Sequence, residues 1–354
     1  MHTYAGAQPT PLVIANQGHF WVGIKRTQQP HGHVSSGQMY VRYQIPTEQR
    51  QPYPIVMVHG GGGQGTDYLM TPDGRPGWAD YFLRHGFVVY VVDRPGFGRS
   101  PFGDGMLGPA SPPPAYEAII DLFTAPAKAR TPFPEAHRHT QWPGSGEIGD
   151  PALDQFMAAL DQSRASPAAT QAAAKEAGVQ LLDRIGPAVI MTHSDGGPFG
   201  WLVADARPQL VRGIIAIEPI GPAFAELRSG GKLEWGLTAV PMTFDPPAAS
   251  PADLKTELRK APQAGLADCL VQGEPARKLP NLRGIPIVVV TGEASFTAPW
   301  QHGVVDFLNQ AGAQAGHLRL EEVGILGNGH MMMLERNSDA IAGALVRWSA
   351  ANVQ

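Results

Sequence analysis

One stretch of this chain joins an apolar run to a serine with small neighbours: Val189-Ile190-Met191-Thr192-His193-Ser194-Asp195-Gly196-Gly197-Pro198-Phe199. A buried strand that runs straight into a helix holds a serine at the turn in a strained backbone conformation. Its hydroxyl then projects above the strand end as a nucleophile. Gly196 supplies the small neighbour, whereas Thr192 stands where the usual motif has its first glycine. The helix start would set the Asp195 backbone N–H beside an oxyanion formed at Ser194. The alternative is that Ser194 only caps the helix, with Gly196-Gly197 as loop.

A second strand-like run, Ile55 to Val58, ends in His59-Gly60-Gly61-Gly62-Gly63. Glycines let backbone N–H groups approach a reacting carbonyl, which suits Gly61 as a second oxyanion donor about 3 Å from the developing charge. Neither a Lys-Ser/Thr pair nor a G-x-G-x-x-G helix start follows, so nucleotide binding is not indicated. The proton acceptor a serine needs is expected at His330, in Gly327-Asn328-Gly329-His330 before the last helix. His59 and His193 flank the turn and read first as braces; His59, Gly60 and Gly62 are also candidates to line the substrate site. His302 and His317 read as surface residues. The pairs His31/His33 and His137/His139 lack a third ligand at metal spacing, so no metal is expected.

Two carboxylates end strand-like runs and can orient the imidazole. Glu218 follows Ile214 to Ile217, and Glu293 follows Val288 to Gly292. Pro219 stops the first strand at once and holds Glu218 at its tip, which favours Glu218.

The elements that must position these groups are legible as short apolar runs: Phe20–Ile24, Met39–Ile45, Ile55–Val58, Phe87–Val92, Ala188–Met191, Gly213–Ile217, Ile287–Val290 and Leu318–Val323. Helical spacing occupies Gly77–His85, Pro167–Ile185, Phe199–Ala206, Trp300–Ala311 and Ser338–Ala350. Alternation of the two predicts one α/β domain spanning 1–354, with a mostly parallel sheet covered on both faces. Two stretches break the rhythm, 101–165 and 219–280. The first holds ten prolines between Pro101 and Pro151, with Phe102, Tyr116, Phe123, Phe133 and Trp142. The second holds Trp235 and a helical piece near Ala252–Lys260. Both read as insertions forming a cap or lid, with Trp142, Trp235, Phe133 and Tyr116 as expected pocket walls.

Composition narrows the partners. With 27 basic and 31 acidic residues there is no basic footprint for nucleic acid. Cys269 is the single cysteine, which excludes an internal disulfide. No apolar run reaches the roughly 18 residues of a membrane span, so a soluble protein is expected, with cytoplasmic, periplasmic and secreted locations all open. A homodimer is a further expectation.

Taken together, His59-Gly60, the run Asp93-Arg94-Pro95-Gly96-Phe97-Gly98-Arg99-Ser100, the Ser194 turn and Gly329-His330 resemble the α/β-hydrolase superfamily over residues 20–350. Within it, Thr192 to Pro198 followed by Ile217-Glu218-Pro219 resembles the bacterial Alcaligenes novel-esterase type. That resemblance implies an eight-stranded α/β-hydrolase fold, a Ser194-His330-Glu218 triad, two backbone N–H donors, no cofactor, and a small-molecule ester as substrate. Lactone, amide or carbon–carbon hydrolysis would use the same triad, and a non-catalytic binding role is the remaining alternative. Asp195 and the unbroken glycine run depart from the pattern.

Overall fold

A computed structural model describes residues 11–101, 107–162, 164, 166–228 and 230–354. Its main sheet has eight strands: β1 (Ile14–Val22), β2 (Met39–Pro46), β3 (Ile55–Val58), β4 (Val89–Asp93), β5 (Ala188–His193), β6 (Val211–Ile217), β7 (Pro286–Thr291) and β8 (Gln314–Arg319). Their order across the sheet is β1-β2-β4-β3-β5-β6-β7-β8. β2 is antiparallel to both β1 and β4, and every pairing from β4 through β8 is parallel.

The central strands carry nearly continuous apolar runs because both faces are covered. Val56, Val58, Ile190, Ile214, Ala216, Ile287 and Val289 enter one core. Their sequence neighbours Ile55, Met57, Val189, Met191, Ile215, Ile217, Val288 and Val290 enter the other. The helices are α1 (Trp78–Arg84), α2 (Tyr116–Ile119), α3 (Pro151–Ala159), α4 (Pro167–Ile185), α5 (Gly197–Ala206), α6 (Gln301–Gln310) and α7 (Ser338–Asn352). α4, α5 and α6 bury Leu181, Leu182, Trp201, Leu202, Phe307 and Leu308 in the first core. α1, α3 and α7 bury Trp78, Phe82, Leu153, Phe156, Ile341 and Leu345 in the second.

The differences from the sequence expectation fall on half-exposed segments. The final strand is Gln314–Arg319, and Leu320–Val323 forms a 3₁₀ turn. As an edge strand it buries little, so its polar residues carry no apolar run. The exposed hairpin Lys25–Gln29/Gly32–Ser36 escapes the apolar-run criterion for the same reason. The segment expected to be helical near Ala252–Lys260 is a short 3₁₀ turn, Pro251–Asp253, followed by strand Thr256–Arg259, which pairs with Cys269–Gln272. Phe102, one of the expected lid aromatics, lies outside the described residues. No helix among the described residues is long and apolar enough to cross a membrane.

Candidate active site

β5 ends at His193, a 3₁₀ turn covers Ser194–Gly196, and α5 begins at Gly197. Ser194 has φ +51°, one of three positive-φ non-glycine residues among those described, and Glu218 at φ +39° is another. Such conformations cost on the order of 1–3 kcal/mol each and persist only where the surroundings impose them. Here the surroundings are close backbone contacts. A Cβ on Gly196 would stand 2.5 Å from the His59 carbonyl oxygen, so the turn lies directly against the end of β3. The Ser194 carbonyl accepts the Ile220 N–H at 3.0 Å, which ties the turn to the segment after β6.

His330 and Glu218 meet across the ends of these strands. The His330 Nδ1–H donates to Glu218 Oε2 at 2.6 Å, and both side chains are buried. Glu218 also accepts the Gly292 N–H at 2.8 Å on Oε1, and the hydroxyls of Ser295 and Thr297 on Oε2. Four donors therefore satisfy a carboxylate that has no exposure to water. Glu293 points elsewhere, to the Gly327 N–H at 2.9 Å and to Arg138 at 3.3 Å. The imidazole of His330 packs between Phe123, Phe296 and His193, at centroid distances of 5.6, 5.0 and 4.5 Å. Its loop is fastened by buried Glu335, which accepts from Gly329 N–H at 2.9 Å, from Asn328 at 2.6 Å and from His139 at 2.7 Å.

The glycine loop is fixed from behind. Gly60 carbonyl accepts from His59 Nδ1 at 2.8 Å and from the Arg94 guanidinium at 2.6 Å, and the same guanidinium reaches the Asp195 carbonyl at 3.2 Å. In a trans peptide the C=O and N–H point in opposite directions, so holding the Gly60 oxygen orients the Gly61 N–H. A Cβ on Gly61 would lie 2.2 Å from Asp195 Oδ2, so the Asp195 side chain packs directly against the glycine loop. Arg94 is 4% exposed, and burial lowers its pKa from the ordinary arginine value. Burial, opposed by Arg94, raises the Asp195 carboxyl above the usual aspartate range.

Ser194 and His330 line one cavity of about 230 Å³, with Gly60, Gly61, Gly62, Gly63, Asp67 and Asp161 on one side. Ser111, Pro112, Pro114, Ile119, Phe123, Phe156, Leu160, His193 and Met331 complete it. The segment before α4 thus contributes much of the wall, although through other aromatics than expected. Trp142 is a correction: it is buried behind Phe156, centroids 5.9 Å apart, with its indole N–H on Asp150 at 2.9 Å. Trp235 is a second: it sits in the opposite core against Phe244, and no described residue of 219–280 lines this cavity. Tyr116 bonds Asp154, and neither it nor Phe133 lines the cavity.

His59 is a third correction, since it does not face the substrate space. Its ring is wholly buried, with Nδ1 on Gly60 and Nε2 accepting the Arg94 N–H at 2.9 Å, and burial lowers its pKa to about 3. It acts as the turn brace its position suggested. His193 likewise donates from Nε2 to the His330 carbonyl at 3.0 Å. His317 lies within β8 and bonds Thr291 at 2.9 Å, so it is not a surface residue. Sequence reasoning assigned no role to Asp67, Arg94, Phe156, Ser295, Thr297 or Glu335. The Ser-Phe-Thr triplet following Glu293 was the one local signal, a hydroxyl cluster at a strand end. Among the described residues no group of three or more His, Cys, Asp or Glu is arranged to hold a metal.

An eight-stranded sheet of this order, with a strained serine after β5, a glutamate after β6 and a histidine in the loop beyond β8 that meets it, defines a class. Residues 53–247 match the alpha/beta hydrolase fold family, and the chain belongs to that family. It is 42% identical over 322 residues to the probable secreted lipase phiG of Fungal sp. (strain ATCC 74256), covering 90% of this chain and 87% of that protein. It also superposes on the structure of a novel bacterial esterase with a TM-score of 0.67 at 24% identity, covering 99% of both chains. The latter likeness is one of fold.

Proposed function

We propose that this alpha/beta hydrolase cleaves a carboxylic ester through an acyl-enzyme formed on Ser194. The observation that carries the reading is the 2.6 Å contact between His330 Nδ1 and Glu218, with His330 and Ser194 on one cavity wall. With Nδ1–H committed to Glu218, Nε2 is the imidazole nitrogen that accepts the Ser194 proton as the hydroxyl attacks. The Gly61 and Asp195 N–H groups receive the carbonyl oxygen as it gains charge. His330 then protonates the leaving alcohol, and a water activated by the same nitrogen releases the acid. The resemblance to a protein named a lipase supports an ester over an amide or a carbon–carbon bond. The same resemblance supports a secreted location, which fractionation of a producing culture tests.

Treatment with a fluorophosphonate probe and intact-mass analysis tests the nucleophile. Wild type is expected to gain one adduct, and Ser194→Ala none. An unlabelled wild type, or equal labelling of both proteins, overturns the assignment.

A further inference from the structure

The wall of the Ser194 cavity carries a buried carboxylate that the proposed reaction does not use. Asp67, two residues into a 3₁₀ turn after the glycine loop, is 5% exposed and lines both this cavity and an adjoining, more open groove of about 450 Å³. It lies against Gly63, where a Cβ would stand 2.5 Å from Oδ2. No hydrogen bond to its carboxylate is made among the described residues, and burial, with Asp93 nearby, pushes its pKa up to about 7. The contrast with Asp161 on the same wall is direct: Asp161 accepts the Gln162 N–H at 2.7 Å and the Gly98 N–H at 3.3 Å. Asp93 is also satisfied, by Gly65 N–H at 2.7 Å and by Arg99. Were a substrate to cover this carboxylate without supplying a donor, the unpaired acceptor would be costly. Among the described residues no Lys or Arg lines the cavity, so none of them offsets Asp67 there.

We propose that Asp67 is the polar end of a substrate subsite: the cavity takes a small ester carrying a hydroxyl or protonated amine that donates to the Asp67 carboxylate. The inference rests on the ester-hydrolase reading above. The remainder of the substrate lies on Phe123, Phe156, Leu160 and Met331. A volume of about 230 Å³ is smaller than the roughly 300–1,000 Å³ of sites for drug-sized ligands, in keeping with a small substrate. A site built to pair with a donor rejects the isosteric methyl analogue, because the acceptor is then left buried and unpaired.

The test uses esters that differ by one group: methyl 3-methylbutanoate, methyl 3-hydroxybutanoate and methyl 3-aminobutanoate for the acyl side. For the alcohol side the pair is 3-methylbutyl acetate and 3-hydroxybutyl acetate. At pH 8, wild type is expected to favour a donor-bearing ester over its methyl analogue by about tenfold or more in kcat/KM in at least one series. In Asp67→Leu the ratio should fall to within about twofold. Asp67→Asn should keep a hydroxyl preference and lose the amine preference. Each ratio is taken within one preparation, so partial misfolding of a variant does not affect it. Calorimetric affinities of Ser194→Ala for the same esters read the subsite without turnover. Ratios near one in wild type, or ratios and affinities unchanged in Asp67→Leu, overturn the subsite. Hydrolysis of none of the esters, with Ser194 unlabelled, overturns the esterase reading instead, and the calorimetry still decides the subsite.

Discussion

Glu218 and Glu293 sit at corresponding strand ends and differ only in what surrounds them. Glu218 has four donors, the imidazole among them, whereas Glu293 ties down Gly327 and Arg138. Glu218→Gln is therefore expected to lower kcat by about 10²–10⁴-fold, because an amide N–H cannot accept the Nδ1 proton and the imidazole loses its tautomer. Glu293→Gln should change kcat less than about threefold, and steady-state kinetics of the two variants checks the ordering. Asp67 makes a stability prediction of definite sign. Its carboxyl is raised to about 7, so between pH 4 and pH 7 the native state keeps a proton that the unfolded chain has released. Its contribution to stability thus falls as pH rises through that window and stays low above it. Asp67→Asn removes the titration, so relative to wild type its Tm should climb from pH 4.5 to pH 8, by up to about 4 kcal/mol of stability. Thermal melts at the two pH values measure this, and a gain equal at both would count against the burial of the charge.

At the scale of elements, the glycine loop and the Ser194 turn act as one unit because the Arg94 guanidinium spans the Gly60 and Asp195 carbonyls. A planar guanidinium presents several donors in a fixed fork, while an ammonium is a single point. Arg94→Lys should lower kcat about tenfold with little change in KM, since the Gly61 N–H it orients is the proposed donor to the transition-state oxyanion. A variant whose KM rises while kcat holds would place Arg94 in substrate binding. Gly196→Ala should be more severe, because its Cβ would meet the His59 carbonyl at 2.5 Å and backbone atoms cannot step aside. The spacing of apolar residues made these elements visible in advance, since buried parallel strands need unbroken apolar runs. β8 was displaced by several residues because an edge strand half open to solvent leaves no such run.

At the scale of the molecule, the sheet divides the chain into a side that faces the reaction and a side that does not. The segment 107–162 packs on the core with Phe156 and Trp142, next to the cavity, whereas Phe224, Trp235, Leu237, Met242 and Phe244 of 219–280 pack on the opposite core. Phe156→Ala should enlarge the cavity and shift preference toward bulkier esters. Trp235→Ala should cost about 3–5 kcal/mol of stability, read by denaturant melts, and leave the rank order of ester sizes unchanged. A changed rank order in the Trp235 variant would return 219–280 to the substrate site.

The amino-acid sequence by itself determined the strand–helix order, the turn at Ser194, the glycine loop, and His330 with a carboxylate among two. These depend on local chemistry: apolar period, small residues at tight turns, and proline at a strand end. Tertiary structure placed the favoured Glu218, and not Glu293, on the imidazole, and it alone decided which aromatics reach the cavity and that Asp67 lies in its wall without a donor. Those are outcomes of chain crossings between segments tens to hundreds of residues apart. An aromatic's type records that it is buried; only the packing of both sheet faces fixes the side on which it lies.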